Sequence, residues 1–213
     1  MSTKKLKKFF KQGVTLKFKK GQVILQSGKS PDGVYYIDKG FVRAYSGNPT
    51  KEVKFFAIYK SKEIFPLIWT LINIDKRLYY EALDNVTLFK RSKRDFLDFI
   101  RNDHKGALEV IDSLTLLFNM LMDRVDNLET IKAYPRLIGR LLFFSKRFGV
   151  KQSNKVNIRL PINQSQIAHS IAMTRETASR EIKKLEQKGL IAYRNNFIVI
   201  NDEEKFIEEL SKS

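Results

Sequence analysis

The 213-residue chain contains no cysteine. That absence excludes disulfides, thiolate zinc sites, thiol redox sensing and all-cysteine iron–sulfur clusters. Only two histidines are present, His104 and His169, so imidazole-based metal or haem sites are poorly supplied. His169 falls inside a predicted helix, where an ordinary structural or surface role is the reading. No apolar run approaches the roughly 18 residues needed to cross a membrane. The opening Met1-Ser-Thr-Lys-Lys-Leu-Lys-Lys-Phe-Phe10 is basic but lacks the apolar core of a signal peptide. A cytoplasmic location without a membrane partner is therefore expected. Acidic residues are also scarce, 23 against 40 lysines and arginines, for a formal net charge of +17. Such a balance favours a polyanionic partner, nucleic acid first and an anionic membrane second. There is no phosphate-binding glycine loop, evident carboxylate pair or metal cluster, which argues against an enzyme.

What is there is globular, with 43% hydrophobic and 30% charged residues in a length suited to one or two domains. The most informative stretch is 160–190. Asn163 is placed to cap a first helix, with Gln166 three residues on as in a capping box. Ile167 and Ile171 follow at helical spacing, Ala172-Met173 makes a turn, and Thr174 caps a second helix from Arg175 to about Lys188. Gly189 suits the left-handed position after it. Ala178, Ile182 and Leu185 recur at i, i+4 and i+7 and face inward. Arg175, Glu176, Ser179 and Arg180 cluster on the opening turns of another face. A reading helix enters the major groove N-terminus first. There an arginine bonds guanine bidentately and a glutamate accepts from the cytosine amino group. Two apolar runs, 190–194 and 197–200, then flank Asn195-Asn196 as a hairpin. The hairpin reads as a wing with Arg194 at its tip, within reach of a phosphate, and Asn201 or Asp202 caps a closing acidic helix.

Residues 160–202 resemble the winged-helix domain of the Crp/Fnr family of bacterial transcription regulators, most closely in Thr174-Arg-Glu-Thr-Ala-Ser-Arg180. The resemblance implies base readout by Arg175, Glu176 and Arg180, with Ser179 contributing in the Fnr-like branch. It implies DNA-backbone contacts by Asn163 and Thr174.

The first half of the chain reads as short strands: 23–25, 33–37, 41–45, 53–58 and 86–89, separated by breakers around Gly28, Pro31, Gly40 and Pro49. Evenly spaced short strands predict a barrel or roll. The run from Lys20-Gly21 through Gly40-Phe-Val-Arg43 is similar to the β-roll sensor domain of the same family. The cyclic-nucleotide binders of that family carry a Gly-Glu element for the ribose and an Arg-Ser pair for the phosphate. Here the corresponding stretches read Glu63-Ile-Phe-Pro-Leu-Ile-Trp69 and Asp75-Lys-Arg-Leu-Tyr-Tyr-Glu-Ala82, with neither element. Cyclic AMP is therefore not the expected effector; the effector is unknown and no cofactor is evident. Phe65, Leu67, Trp69, Tyr79 and Tyr80 either line an apolar pocket or fill a core, and Lys76 and Arg77 are an anion site or a solvated loop. Residues 4–12 form a short amphipathic helix with Leu6, Phe9 and Phe10 on one side; its lysines read as a solvated face rather than a DNA-binding arm.

Ser92 caps a helix carrying Phe96 and Ile100, and a long helix follows from about His104 to Ala133. Ala107, Ile111, Leu114, Phe118, Leu121, Val125 and Leu128 make a heptad stripe. A second stripe of Leu108, Leu117 and Met120 suits packing on the helix's own domain. Family resemblance implies a parallel homodimer through this helix, placing two reading helices about 34 Å apart, one DNA turn. Pro135 suits the first position of a new helix, with a hinge near Ala133. Residues 149–157 read as a polar loop and 156–160 as a short strand. The expected architecture is α+β. It comprises a β-roll sensor resembling cyclic-nucleotide-binding and cupin-like domains (1–103), a dimerisation helix (104–133) and a winged helix-turn-helix domain (134–213). The expected function is a homodimeric, sequence-specific transcription regulator on a palindromic operator, with double-stranded DNA and RNA polymerase as partners. The alternative is a non-specific, charge-driven DNA binder that has lost effector gating.

Overall fold

The computed structural model describes residues 3–48, 52–74, 77–194 and 197–212, and leaves undescribed the side chains of residues 48, 52–56 and 194. Lys76, the Asn195-Asn196 turn and the side chain of Arg194 therefore lie outside the described residues. The chain divides into two compact units, residues 1–120 and 121–213.

The first unit opens with α1 (Lys4–Phe10), whose Leu6, Phe9 and Phe10 are buried while Lys4, Lys5 and Lys8 stay outside. Its first amides are capped from a distance: Lys5 N and Leu6 N donate to the Glu109 carboxylate at 3.2 and 2.9 Å. Strands β1 (Val14–Phe18), β2 (Val23–Leu25), β3 (Val34–Lys39), β4 (Val42–Asn48) and β5 (Glu52–Tyr59) follow. After them come β6 (Ile64–Phe65), helix α2 (Leu67–Ile72), β7 (Tyr79–Ala82) and β8 (Val86–Arg91). They form two antiparallel four-stranded sheets, ordered β1-β8-β3-β6 and β2-β7-β4-β5. Gly40, at φ 92°, turns the chain from β3 into β4 where a Cβ would stand 2.7 Å from the Asn85 carbonyl, so only glycine fits. Helix α3 (Lys93–Asn102) starts at Ser92, whose Oγ accepts from Asp95 N at 3.0 Å. The core of this unit joins α1 to the sheet and to α3: Phe9 stacks on Phe99 at 4.3 Å and Phe10 on Tyr36 at 5.6 Å.

Helix α4 (His104–Glu129) stops four residues short of the expected Ala133. Its break is tied by Arg136. The guanidinium donates to the carbonyls of Thr130 (2.7 Å), Ile131 (3.2 Å) and Ile171 (3.3 Å), using orphan acceptors that a helix end leaves behind. Leu117 and Met120 are buried in α4, as their stripe predicts, but Leu108 is 48% exposed. Ile111, Phe118 and Val125 are 55%, 61% and 48% exposed, whereas Ala107, Leu114, Leu121 and Leu128 are half-buried. The solvent-facing apolar residues are thus Leu108, Ile111, Phe118, Met122 and Val125. With Thr115 they recur at alternating steps of three and four, which is a heptad seam shifted by one residue at alternate positions.

In the second unit, α5 (Ala133–Phe148) begins two residues earlier than Pro135 predicts, so the proline occupies the third helical position. It is tolerated because the first-turn amides have no intrahelical acceptor. Residues 149–157 are not a loop: β9 (Gly149–Gln152) and β10 (Lys155–Ile158) pair as a hairpin. Helices α6 (Gln164–Ser170) and α7 (Arg175–Gln187), strands β11 (Ile191–Arg194) and β12 (Phe197–Ile200), and α8 (Glu203–Ser211) complete the unit. Its sheet runs β11-β12-β10-β9, and Asp202 caps α8 through Lys205 N at 3.2 Å. No helix among the described residues is long and apolar enough to cross a membrane.

Candidate nucleic-acid interface

Two short helices and a hairpin are held in fixed register by local chemistry. Asn163 Oδ1 accepts from Gln166 N at 2.9 Å, and Gln166 Oε1 accepts from Asn163 N at 2.9 Å, closing the capping box. Ala172 takes a left-handed φ of 50° in the turn after α6, and Met173 N returns to the Ala168 carbonyl at 3.0 Å. Thr174 Oγ1 accepts from Thr177 N at 3.1 Å and opens α7. At the other end Gly189 N bonds Glu186 O (2.9 Å) and Leu190 N bonds Leu185 O (3.0 Å). That pair of hydrogen bonds is a Schellman motif, which needs the φ of 69° that Gly189 supplies. Glu186 then accepts from Tyr193 N at 3.0 Å, tying the hairpin to α7.

Packing decides which face of α7 is free. Ala178, Ile182 and Leu185 are at most 1% exposed, and Ile167 and Ile171 of the neighbouring helix are fully buried. Behind them Arg140 crosses from α5 to donate Nε to Ser170 Oγ at 3.1 Å, with its guanidinium over the Phe143 and Phe144 rings at 4.8 and 4.6 Å. Burial first, and the nearby Arg124 second, push Arg140 down to about 9, which still leaves it charged at neutral pH. Arg175, Glu176 and Arg180 are exposed on the opposite side and Ser179 is half-exposed beside them. All four lie within the first two turns of α7. Asn163 and Thr174 sit at the amino ends of the two helices and are also exposed; His169 is an exposed residue of α6.

One residue escaped the sequence analysis. Glu181 follows Arg180 and is only 3% exposed. Its Oε1 accepts from Arg180 Nε at 3.1 Å and its Oε2 from Lys184 Nζ at 2.8 Å. Burial pulls its carboxyl upward, but the two cationic donors outweigh that and hold it below its ordinary value. The signal available in sequence was the Glu181–Lys184 spacing of three, which a helix brings together.

In the first unit, the effector-pocket candidates converge only in part. Phe65 is fully buried, stacked on Tyr35 at 5.3 Å and on Tyr80 at 4.9 Å. Tyr79 stacks on Tyr45 at 5.3 Å, and Arg77 is exposed. A cavity of about 30 Å³ lies beside Leu25, Tyr59, Leu67, Trp69, Tyr80 and Leu117, so three of the apolar candidates, Leu67, Trp69 and Tyr80, line it, while Phe65 and Tyr79 do not. That volume holds a water molecule or two, whereas small-molecule sites occupy roughly 300–1,000 Å³.

The second unit matches the Crp-like helix-turn-helix domain over residues 135–209, and the β-roll matches the cyclic nucleotide-binding domain over residues 15–103. An anaerobic regulatory protein of Pasteurella multocida is 21% identical over 192 residues, covering 89% of this chain and 69% of that protein. Among solved structures, a CooA mutant from Carboxydothermus hydrogenoformans aligns with a TM-score of 0.79 at 20% identity, covering 94% of this chain and 89% of the other. FixK2 from Bradyrhizobium japonicum aligns at 0.75 and 18% identity, covering 92% and 96%. The order of elements, the paired capped helices with their hairpin, and these likenesses agree: the chain belongs to the Crp/Fnr family of DNA-binding transcription regulators, not to a family of enzymes.

Proposed function

We propose that the protein acts in the cytoplasm as a homodimer that reads a two-fold symmetric operator without gating by cyclic AMP. Residues 1–103 are the sensor, 104–133 the dimerisation segment and 134–213 the DNA-binding domain. Arg175, Glu176, Ser179 and Arg180 read base edges. Asn163, Thr174 and Arg194 contact the backbone, and RNA polymerase is the further partner. The observation that carries this reading is the split of α7: its apolar stripe is buried while its first two turns hold four polar side chains outward. Phosphate contacts position a protein on the duplex, and base contacts supply discrimination. Support for the dimer comes from the exposed seam of α4, five large apolar side chains in heptad register. Support for freedom from cyclic AMP comes from the lack of the Gly-Glu and Arg-Ser elements in residues 63–69 and 75–82. An effector, if bound, acts only through its differential affinity for two states of the dimer.

The test is Arg180→Ala on DNA enriched from random duplexes by the wild-type protein. Binding to the enriched site is expected to weaken by about 1–3 kcal/mol with relaxed preference at one base pair per half-site, while random DNA loses far less. Equal weakening on both would remove the base-reading role and leave a charge-driven, non-specific binder.

A further inference from the structure

A carboxylate buried in a reading helix needs an explanation. Glu181 lies beside the inward stripe of α7, where an apolar side chain would fill the same space without a desolvation penalty. Replacing buried ionic groups by well-packed apolar ones is often neutral or stabilising, so fold stability alone does not account for it. Its geometry does. Residues i and i+1 do not face each other on a helix, so Arg180 must fold sideways to reach its neighbour. It does so through Nε alone, at 3.1 Å, and its terminal nitrogens have no partner among the described residues. The guanidinium is therefore held at its base with its end-on fork unspent. Lys184, on the other carboxylate oxygen at 2.8 Å, fixes Glu181 from the next turn. A fork held this way enters the groove with fewer rotamers to lose, which is the condition for tight bidentate recognition of guanine.

We propose that Glu181 is a positioning residue for base readout: it pre-orients Arg180 and so sets the sequence discrimination at the base pair Arg180 reads. The proposal rests on the assignment of Arg180 to base readout and names the side chain that makes that contact selective. It predicts an effect confined to one position of the half-site. Arg175 and Glu176, one turn earlier, do not depend on Glu181.

The experiment uses the full-length protein and the duplex enriched from random DNA, together with variants of that duplex changed symmetrically at each half-site base pair. In Glu181→Leu, discrimination at the Arg180 base pair is expected to fall by about fivefold, the cost of ordering one long side chain. Discrimination at the other positions, affinity for random DNA and the melting temperature stay close to wild type. Glu181→Gln keeps an acceptor at the same reach and recovers most of the discrimination. Arg180→Ala combined with Glu181→Leu behaves as Arg180→Ala alone. Loss spread evenly over all positions, or a melting temperature that falls in step with specificity, would mean a structural role and overturn the proposal. If Arg180→Ala relaxes its base pair but Glu181→Leu and Glu181→Gln do not, only the positioning role fails. If Arg180→Ala relaxes nothing, both the positioning role and the base-reading assignment fall.

Discussion

Phe118→Glu is the perturbation that probes the α4 seam most sharply. Phe118 sits in the middle of that seam and is 61% exposed, although it is a residue that normally drives burial. An aromatic side chain exposes on the order of 200 Å² when free, so about 120 Å² of apolar surface is left for a partner to cover. At about 25 cal/mol per Å² each copy contributes about 3 kcal/mol, and a symmetric dimer about 6 kcal/mol at most. If half of that is realised, loss of the ring weakens dimerisation by about two orders of magnitude, and the added carboxylates oppose association further. Sedimentation equilibrium over a concentration series reads the change directly, and circular dichroism checks that the monomer stays folded. Met122→Glu should act in the same direction and more strongly than Leu121→Glu, because Met122 faces solvent and Leu121 is half-buried. Leu117→Ala is the converse control. Leu117 is 8% exposed and faces its own unit, so its truncation should cost about 2–5 kcal/mol of stability before it affects association. A Phe118→Glu protein that dimerises at wild-type concentrations would show that the seam is not the interface.

Four further outcomes are expected. Asn163→Ala removes one half of the capping box and should lower stability to urea by about 1 kcal/mol, with a matching loss of DNA affinity where α6 frays. Phe65→Ala empties the centre of the aromatic stack and should destabilise the protein by about 3–5 kcal/mol. Cyclic AMP at millimolar concentration should leave the melting temperature and the operator affinity unchanged, whereas a ligand at a hundred times its Kd would add about 2.7 kcal/mol. The Glu181 carboxyl is held below 4.5, so its pairing stabilises the fold above that value and is lost as pH falls through the lower folded value. The stability gap between wild type and Glu181→Gln, measured by urea melts, should therefore be present at neutral pH and shrink as the carboxylate is protonated in acid.

The parts of this molecule legible in its sequence are those set by local chemistry. Asn163, Gln166, Thr174 and Gly189 each bond within a few residues of themselves, so the ends of α6 and α7 follow from spacing alone. Short apolar runs between breakers likewise mark β3, β4 and β8, where Val34–Ile37, Val42, Ala44, Tyr45, Val86, Leu88 and Phe89 are buried. What escaped depends on partners distant in sequence. The β9–β10 hairpin has polar, mostly exposed residues in its first strand, and its pairing is fixed by the neighbouring β12 rather than by any apolar pattern. Apolar residues wrap most of α4, so its two stripes cannot be apportioned until the surroundings of Leu117 and Met120 are known; Leu108 moved to the outer face for that reason. Pro135 marks a helix start, but the actual start at Ala133 is set by Arg136, which bonds three carbonyls of the preceding break and of α6. The polar cluster on α7 proposed to read bases stands out in the sequence. Glu181 does not, because its role lies in being buried next to an exposed arginine.

The measurement that bears most directly on the account is selection of binding sites from random duplex DNA by the purified protein, at near-physiological salt and with no added ligand. A two-fold symmetric motif, with half-sites about one helical turn apart, is the predicted result. It would require two copies of α7 reading bases together and a sensor domain that needs no nucleotide to permit it. No enrichment, with binding that collapses as salt rises, would contradict ligand-free base readout and point to backbone charge as the source of affinity.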